Sequence, residues 1–418
     1  MISKKKLKGS ALPTVMVISV LICLLILFAF TMFDLNEFLF SSYNSVRQRK
    51  EYLNSALVVY CNDSSLISQI KDSDYAYQLY DDEPLSSVQF SIKPWGLYES
   101  ICISSSDHKY SSIRLLGKKN DCKEAAALWL CSRDMALSLA GTTQIEGPLY
   151  APINGVNYVE LQNEAFKGRI ISNDNIHLSN RELPDIDSLL VNMIDGWHDR
   201  RRLNKTGNDV DLKNKYSSFK EEPIHLLMPE NASKESVFRG QIMIYGDEIV
   251  MSPEMKFSDV ILIARKVIVE SGFVGSCQIF ATDTVIVKEG VRLNFPSGVF
   301  LNGNNGKTLL TLGERSTICG YAVVFGDIEK SNNLLIDANY EQRRASTLQG
   351  LLYVDGIASV NSCSIIGAAY MKECYYLPEN GMYAGTLFNV QITRDENMVY
   401  PFLFKNSMYR RSEIKSLH

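Results

Sequence analysis

This chain is poor in the side-chain groupings on which most protein chemistry depends. Its five histidines (His108, His177, His198, His225 and His418) never fall within twenty residues of one another, whereas a zinc site draws on a local cluster of ligands. Nine cysteines are present without a single Cys-x-x-Cys pair, which leaves zinc-ribbon and thioredoxin-type readings without support. There is no Gly-x-Ser-x-Gly turn, phosphate loop or Gly-x-Gly-x-x-Gly fingerprint, and GNNGK at 303–307 lacks the spacing and the Ser/Thr of a phosphate loop. Positive charge is not in excess either. The net charge is −4 and the sequence pI about 5.9, which argues against nucleic acid as a partner. After Phe33 there is no second long apolar run, so the chain has one candidate membrane segment.

That segment organises the rest. Lys4, Lys5, Lys6 and Lys8 precede an uncharged run from Gly9 to Phe33, and about twenty apolar residues of helix cross a hydrocarbon core. Residues 11–33 are therefore the expected contact with membrane lipid. The lysines place the N-terminus in the cytoplasm and the bulk of the chain beyond the membrane, periplasmic or extracellular. A cleaved secretory signal fits less well, because the apolar core is long and FAFTMFDLNEFLF offers no small-x-small site. Residues 34–60 contain no Gly or Pro. Leu35, Phe38, Leu39, Tyr43 and Val46, then Leu53, Ala56, Leu57 and Tyr60, keep spacings of three and four, so the helix should continue to about Tyr60.

KGSALPTV at 8–15 resembles the processing region of type IV pilin-like proteins, where a basic leader ends in Gly and the mature chain starts with a motif like FTLPEV. The resemblance implies cleavage between Gly9 and Ser10, with Leu12, Pro13 and Val15 at the motif positions. Ser10 replaces the usual Phe and Thr14 the usual Glu. Loss of that Glu implies a minor or tip subunit rather than a major filament subunit. A plain signal anchor remains the alternative.

Beyond the helix, the sequence divides into a small α+β connector at 61–140, a β region at 141–400 and a tail at 401–418. In the connector, SSVQFSIKPWGLYESICIS at 86–104 reads as two strands around Pro94 and Gly96, Ile113–Leu116 as another, and 122–140 as a helix stopped by Gly141. Trp95 and Trp129 read as core residues. Along a straight helix Cys122 and Cys131 stand about 13 Å apart, too far for a disulfide. Bridges among Cys61, Cys102, Cys122 and Cys131 stay open, while Cys277, Cys319 and Cys363 read as buried thiols. Residues 181–235 read as an insertion with a helix from Pro184. The tail reads as a short helix or a disordered end.

The β region carries a period near twenty. Val267-Ile268-Val269 align with Val285-Ile286-Val287, and Gly272 with Gly290, at an offset of eighteen. Short strands repeated this way are the mark of a stacked solenoid. The expected fold is mainly β, a right-handed β-helix. The alternative is an antiparallel β-sandwich, favoured by the hairpin-like NGNNG at 302–306. Roughly 236–392 also resembles the bactofilin-like polymer-forming β-helices in its VIV-type strands.

Chemistry is sparse. Glycoside hydrolysis needs two carboxylates facing one groove. Asp185/Asp187 and Asp209/Asp211 have the i, i+2 spacing but lie in the insertion, where helix caps and turns account for them, and Asp283, Asp327, Asp337 and Asp355 read as turn residues. No catalytic residue, metal or cofactor is expected. The better lead is the Tyr-rich stretch 370–385. Tyr370, Tyr375, Tyr376 and Tyr383 read as a cap over the last coil or as a surface that stacks on sugar or anchors a protein. The expected function is a non-enzymatic, membrane-anchored structural or assembly protein of a bacterial envelope, with envelope or pilus-like assembly proteins as partners. A tethered module binding glycan or protein is the alternative, and a carbohydrate-active β-helix enzyme a third reading.

Overall fold

The computed structural model describes residues 11–63, 75–83, 86–119, 125–132, 135–203, 214–228, 235–303, 308–326, 337–378, 381–405 and 410–417. The chain forms two compact units. One comprises 1–59, 74–90 and 103–111, and the other 60–73, 91–102 and 112–418.

The first unit is built on α1, a single helix over Ala11–Asn62, about 78 Å long at 1.5 Å per residue. Every side chain from Leu12 to Ser45 is exposed, among them Leu12 at 76% and Phe33 at 73%. Lower down the environment reverses, and Tyr52, Leu53, Ala56 and Leu57 are buried. Strand β1 (Tyr75–Gln78) pairs antiparallel with the start of β2 (Ser87–Trp95), Tyr75 facing Phe90. The Tyr52 hydroxyl donates to Glu83, its ring lies 5.9 Å from Tyr80, and Arg49 pairs with Asp107. The helix is therefore packed at one end and bare over an apolar length sufficient to cross a membrane.

The second unit is a stack of parallel strands. Val267, Ile268 and Val269 lie opposite Val285, Ile286 and Val287, the pairing that the eighteen-residue offset predicts. Gly272 and Gly290 both take positive φ at the turns that follow. Parallel pairing of strands so close in sequence excludes the antiparallel sandwich. Each full coil contributes three short strands, as in 292–293, 297–302 and 309–312, or 347–349, 351–355 and 357–360. Their inward side chains make one continuous core: Leu262, Ile279, Val299, Ala322, Leu352 and Ala369 follow one another in register, each with little or no exposure. At one corner three successive coils carry glycine. Gly320, Gly350 and Gly367 share a register at φ of 140, 142 and 135°, and a Cβ on Gly350 would sit 1.8 Å from the Gly320 carbonyl oxygen.

The order of coils in space departs from their order in the chain. Ala369, Tyr370 and Met371 pair with Leu128, Trp129 and Leu130, and Gln391–Thr393 pairs with Gln144–Glu146. Leu149–Ala151 and then Ile176–Leu178 follow in the stack. The early segment thus continues the winding where the late one leaves it. Helix α2 (Ser188–Leu203) then precedes the far end of the stack, which begins at Asn214–Ser217 and Ile224–Leu227.

This permuted order corrects several expectations. Residues 122–140 were expected to be helical, but Leu128–Leu130 and Leu137–Ala140 are strands. AAALWL is a good helix former in isolation, yet here Leu128 and Leu130 face the core and Trp129 faces outward, a two-sided burial that overrides propensity. Asn214–Ser217 and Ile224–Leu227 are already rungs of the stack, within the range expected to be an insertion. The tail is no disordered end either. Arg410–Leu417 is a strand paired antiparallel with β4 (Ser111–Lys119), Arg411 facing Lys118 and Leu417 facing Ile113. The two strands expected at 86–104 are present as β2 and β3 (Tyr98–Ser105). Most of NGNNG falls outside the described residues.

Candidate functional site: an outward aromatic row

One row of side chains runs the length of the stack on its outer surface. In register it reads Leu227, Tyr245, Ile263, Phe280, Phe300, Val323, Tyr353, Tyr370, Trp129, Tyr150 and His177. Parallel, in-register strands place equivalent side chains about 4.8 Å apart, so rings at this position stack along the axis. Phe280 and Phe300 lie 5.9 Å apart, Tyr370 and Trp129 6.3 Å, Trp129 and Tyr150 4.6 Å, and Tyr150 and His177 5.0 Å.

Most of the row is covered. Trp197 of α2 packs edge-on to Phe280 at 5.2 Å, and Ile194 beside it is fully buried. Trp95, Leu97 and Tyr98, from the turn between β2 and β3, join the same apolar layer. A buried Gln278 fixes that turn through Leu97, Trp95 and Tyr321. Phe404 lies 5.9 Å from Tyr353 and 5.1 Å from Tyr370. The last three rungs, Trp129, Tyr150 and His177, are half-buried.

Beside Tyr370 is a recess lined by Lys118, Leu351, Ala368, Tyr370, Tyr400, Pro401 and Phe404, of about 20 Å³. That is room for one water molecule, not for a cofactor. The Lys118 ammonium donates to the Phe404 carbonyl at 3.1 Å and lies 5.4 Å from the Phe402 ring. Burial, with the nearby Arg411 charge, pulls its pKa down to about 8.

Of the residues picked out in the sequence, Gly9 and Ser10 lie outside the described residues. Tyr370 joins the aromatic row. Tyr375 and Tyr376 are buried, and Tyr383 is exposed at 41%. Tyr375 donates to Glu373 at 3.2 Å, and Tyr376 stacks 6.0 Å from Tyr383 and 5.0 Å from Phe388. The four tyrosines do not form a cap, because Leu128–Leu130 and Gln391–Thr393 stack beyond their coil. Asp187 accepts the Leu189 N–H at 3.0 Å at the start of α2, the geometry of a helix N-cap. Asp283 pairs with Arg265 and Asp355 with Lys372, both at 2.6 Å. Asp209 and Asp211 lie outside the described residues. No group of three or more His, Cys, Asp or Glu positioned to hold a metal ion occurs among the described residues.

Cys277, Cys363 and Cys374 are buried thiols, and Cys319 is half-buried. Among the described residues Cys61 and Cys102 form no disulfide, Cys131 is buried, and Cys122 is outside the described residues.

The row was missed in the sequence for a physical reason. Its spacing is uneven, with Val323 twenty-three residues after Phe300 and Tyr353 thirty after Val323, and Trp129, Tyr150 and His177 precede in sequence the rungs they extend in space. The usable signal was the offset of Val267 from Val285; carried back to the preceding strand it predicts Ala281 opposite Ile263, and a register shift between Ala264 and Lys266 puts Phe280 there instead.

No family model matches this chain, and no curated protein and no solved structure matches it.

Proposed function

We propose that this chain is a membrane-anchored, non-enzymatic structural or assembly protein of a bacterial envelope. In this reading α1 crosses the membrane over about residues 11–33 with its N-terminus cytoplasmic, and the β stack stands outside the cytoplasm. We read the stack as a right-handed β-helix, the hand taken by nearly all parallel crossovers. The observation that carries the reading is the reversal along α1, bare and apolar from Leu12 and buried from Tyr52. Such a surface is costly in water and favourable in lipid. A recess with room for one water and aspartates engaged in a cap and in ion pairs agree with a structural role.

Within this proposal, the pilin-like version has the leader removed between Gly9 and Ser10 and a minor subunit delivered to an envelope assembly. Intact-mass measurement of protein extracted from native membranes tests it. A chain starting at Ser10 is expected, and one starting at Met1 would leave the plain anchor.

A further inference from the structure

The half-buried end of the aromatic row has the chemistry of a sugar-binding strip, and we propose that Trp129, Tyr150 and His177 bind a pyranose chain. The proposal does not depend on the membrane reading. His177 closes the row. Its strand, Ile176–Leu178, pairs with Leu149–Ala151 on one side, and among the described residues no strand pairs with the other. Interior rings give both faces to their neighbours. The His177 ring gives one face to Tyr150 at 5.0 Å, and the opposite face is where the next ring of the row would stack. A pyranose ring, with an apolar CH face and a polar rim, fits that place. Further sugar units run along the edges of Tyr150 and Trp129, which are stacked at 4.6 Å and 21°.

A second observation selects sugar over an apolar partner. Two buried polar atoms at this end have no hydrogen-bond partner among the described residues: the Trp129 indole Nε1 and the Ser179 hydroxyl. Ser179 is only 3% exposed and follows directly on the strand Ile176–Leu178, two residues on from His177. Its own N–H continues the ladder to the Ala151 carbonyl at 2.9 Å. Unpaired buried polar groups are rare and call for an explanation. Indole offers a donor only, while a serine hydroxyl donates and accepts. Sugar hydroxyls, donors and acceptors at once, complement both, with small side-chain movements of Trp129 and Ser179 to present two atoms that are buried in the unliganded chain. A lipid or an apolar protein surface would leave both atoms unsatisfied. Nucleic acid also stacks on rings, but the net charge of −4 opposes it.

Titration calorimetry on the full chain in a detergent without a sugar headgroup tests this. The probes are the β-1,4-linked hexamers of glucose and of N-acetylglucosamine, with single-stranded poly(dT) as the competing class. Saturable binding of at least one hexamer is expected, weakened about tenfold or more by His177→Ala and by Tyr150→Ala, the loss of one stacked ring being about 1.4 kcal/mol. If His177→Ala does not fold, protection of His177 from carbethoxylation by the hexamer reads the same contact in the unaltered chain. Absence of binding at about 10 mM hexamer, a range in which even a millimolar Kd would be seen, overturns the proposal. Unchanged affinity in the folded variants, or preferential binding of poly(dT), overturns it equally.

Discussion

The Gln278 side-chain oxygen accepts the Leu97 N–H at 2.9 Å and the Tyr321 hydroxyl at 2.8 Å, while its amide donates to the Trp95 carbonyl at 2.9 Å. One buried amide, 3% exposed, thus holds the Trp95–Leu97 turn on the outer wall of the stack. Gly96 makes the approach possible, since at φ +66° a Cβ there would meet the Gln278 oxygen at 1.9 Å. Gln278→Leu keeps much of the volume but leaves an N–H, a hydroxyl and a carbonyl unpaired. At about 1–3 kcal/mol for each unsatisfied group, a loss of roughly 2–4 kcal/mol after relaxation is expected, read by urea unfolding of the full chain in detergent.

The corner glycines predict a contrast within one residue type. Gly350→Ala places a methyl group against the Gly320 carbonyl, whereas Gly272→Ala meets no atom within 4 Å and bears only its positive φ of 82°. Left-handed backbone costs a non-glycine residue about 1–2 kcal/mol. Gly272→Ala should therefore lose about that much and still fold, while Gly350→Ala should lose clearly more or fail to fold. Equal losses in thermal unfolding would contradict the stacking register.

Arg411 joins the C-terminal strand to several partners at once. It pairs with Glu99 through Nε at 2.8 Å and a second nitrogen at 3.2 Å, and its guanidinium lies 5.4 Å from the Tyr60 ring and 5.2 Å from the Phe402 ring. Arg411→Ala strands a mostly covered Glu99, so a loss of about 3 kcal/mol is expected. Arg411→Lys should recover less than half of it, because an ammonium reproduces neither the fork nor the flat stacking. Denaturation of the three proteins side by side measures this.

Two kinds of titrating group predict opposite trends at alkaline pH. Burial pushes the Cys277 and Cys374 thiols up to about 12. Their contribution to stability is complete below the unfolded value near 9 and is lost as pH rises from there toward 12. Lys118, pulled down to about 8 chiefly by burial, binds fewer protons folded than unfolded between about 8 and 10.5. Its contribution rises with pH across that window. Reductive ¹³C-methylation followed by NMR titration should find one lysine with a midpoint near 8, absent in Lys118→Met. A Lys118 midpoint above 10 would contradict the burial described. At pH 8, alkylation should spare Cys277 and Cys374 until the chain unfolds.

Much of the stack was legible because its regular part is local. Val267 and Val285 sit in coils without insertions, so an offset of eighteen gave their pairing, and the uninterrupted apolar spacing from Leu35 to Tyr60 gave the helix. What was hidden depends on contacts distant in sequence. Leu128–Leu130 is a strand because Ala369–Met371 and Leu149–Tyr150 lie on either side of it, and no local pattern in AAALWL encodes those neighbours. The Arg410–Leu417 strand is likewise fixed by β4, about three hundred residues earlier. The aromatic row was invisible as a row since its spacing from Phe280 to Tyr353 is uneven and Trp129, Tyr150 and His177 join it only through the permuted winding. Tyr370 was picked out as a surface aromatic, whereas its ring lies between those of Trp129 and Phe404.

The orientation of the anchored stack is open to one direct measurement. A membrane-impermeant amine-reactive biotin reagent, applied to spheroplasts of the native cell and followed by peptide mass mapping, compares exposed lysines of the stack, such as Lys256 and Lys288, with Lys4, Lys5, Lys6 and Lys8. The account predicts membrane-bound protein with the stack lysines labelled, and the N-terminal lysines either unlabelled or missing with a cleaved leader. Protein recovered in the soluble fraction, or stack lysines labelled only after lysis, would contradict it.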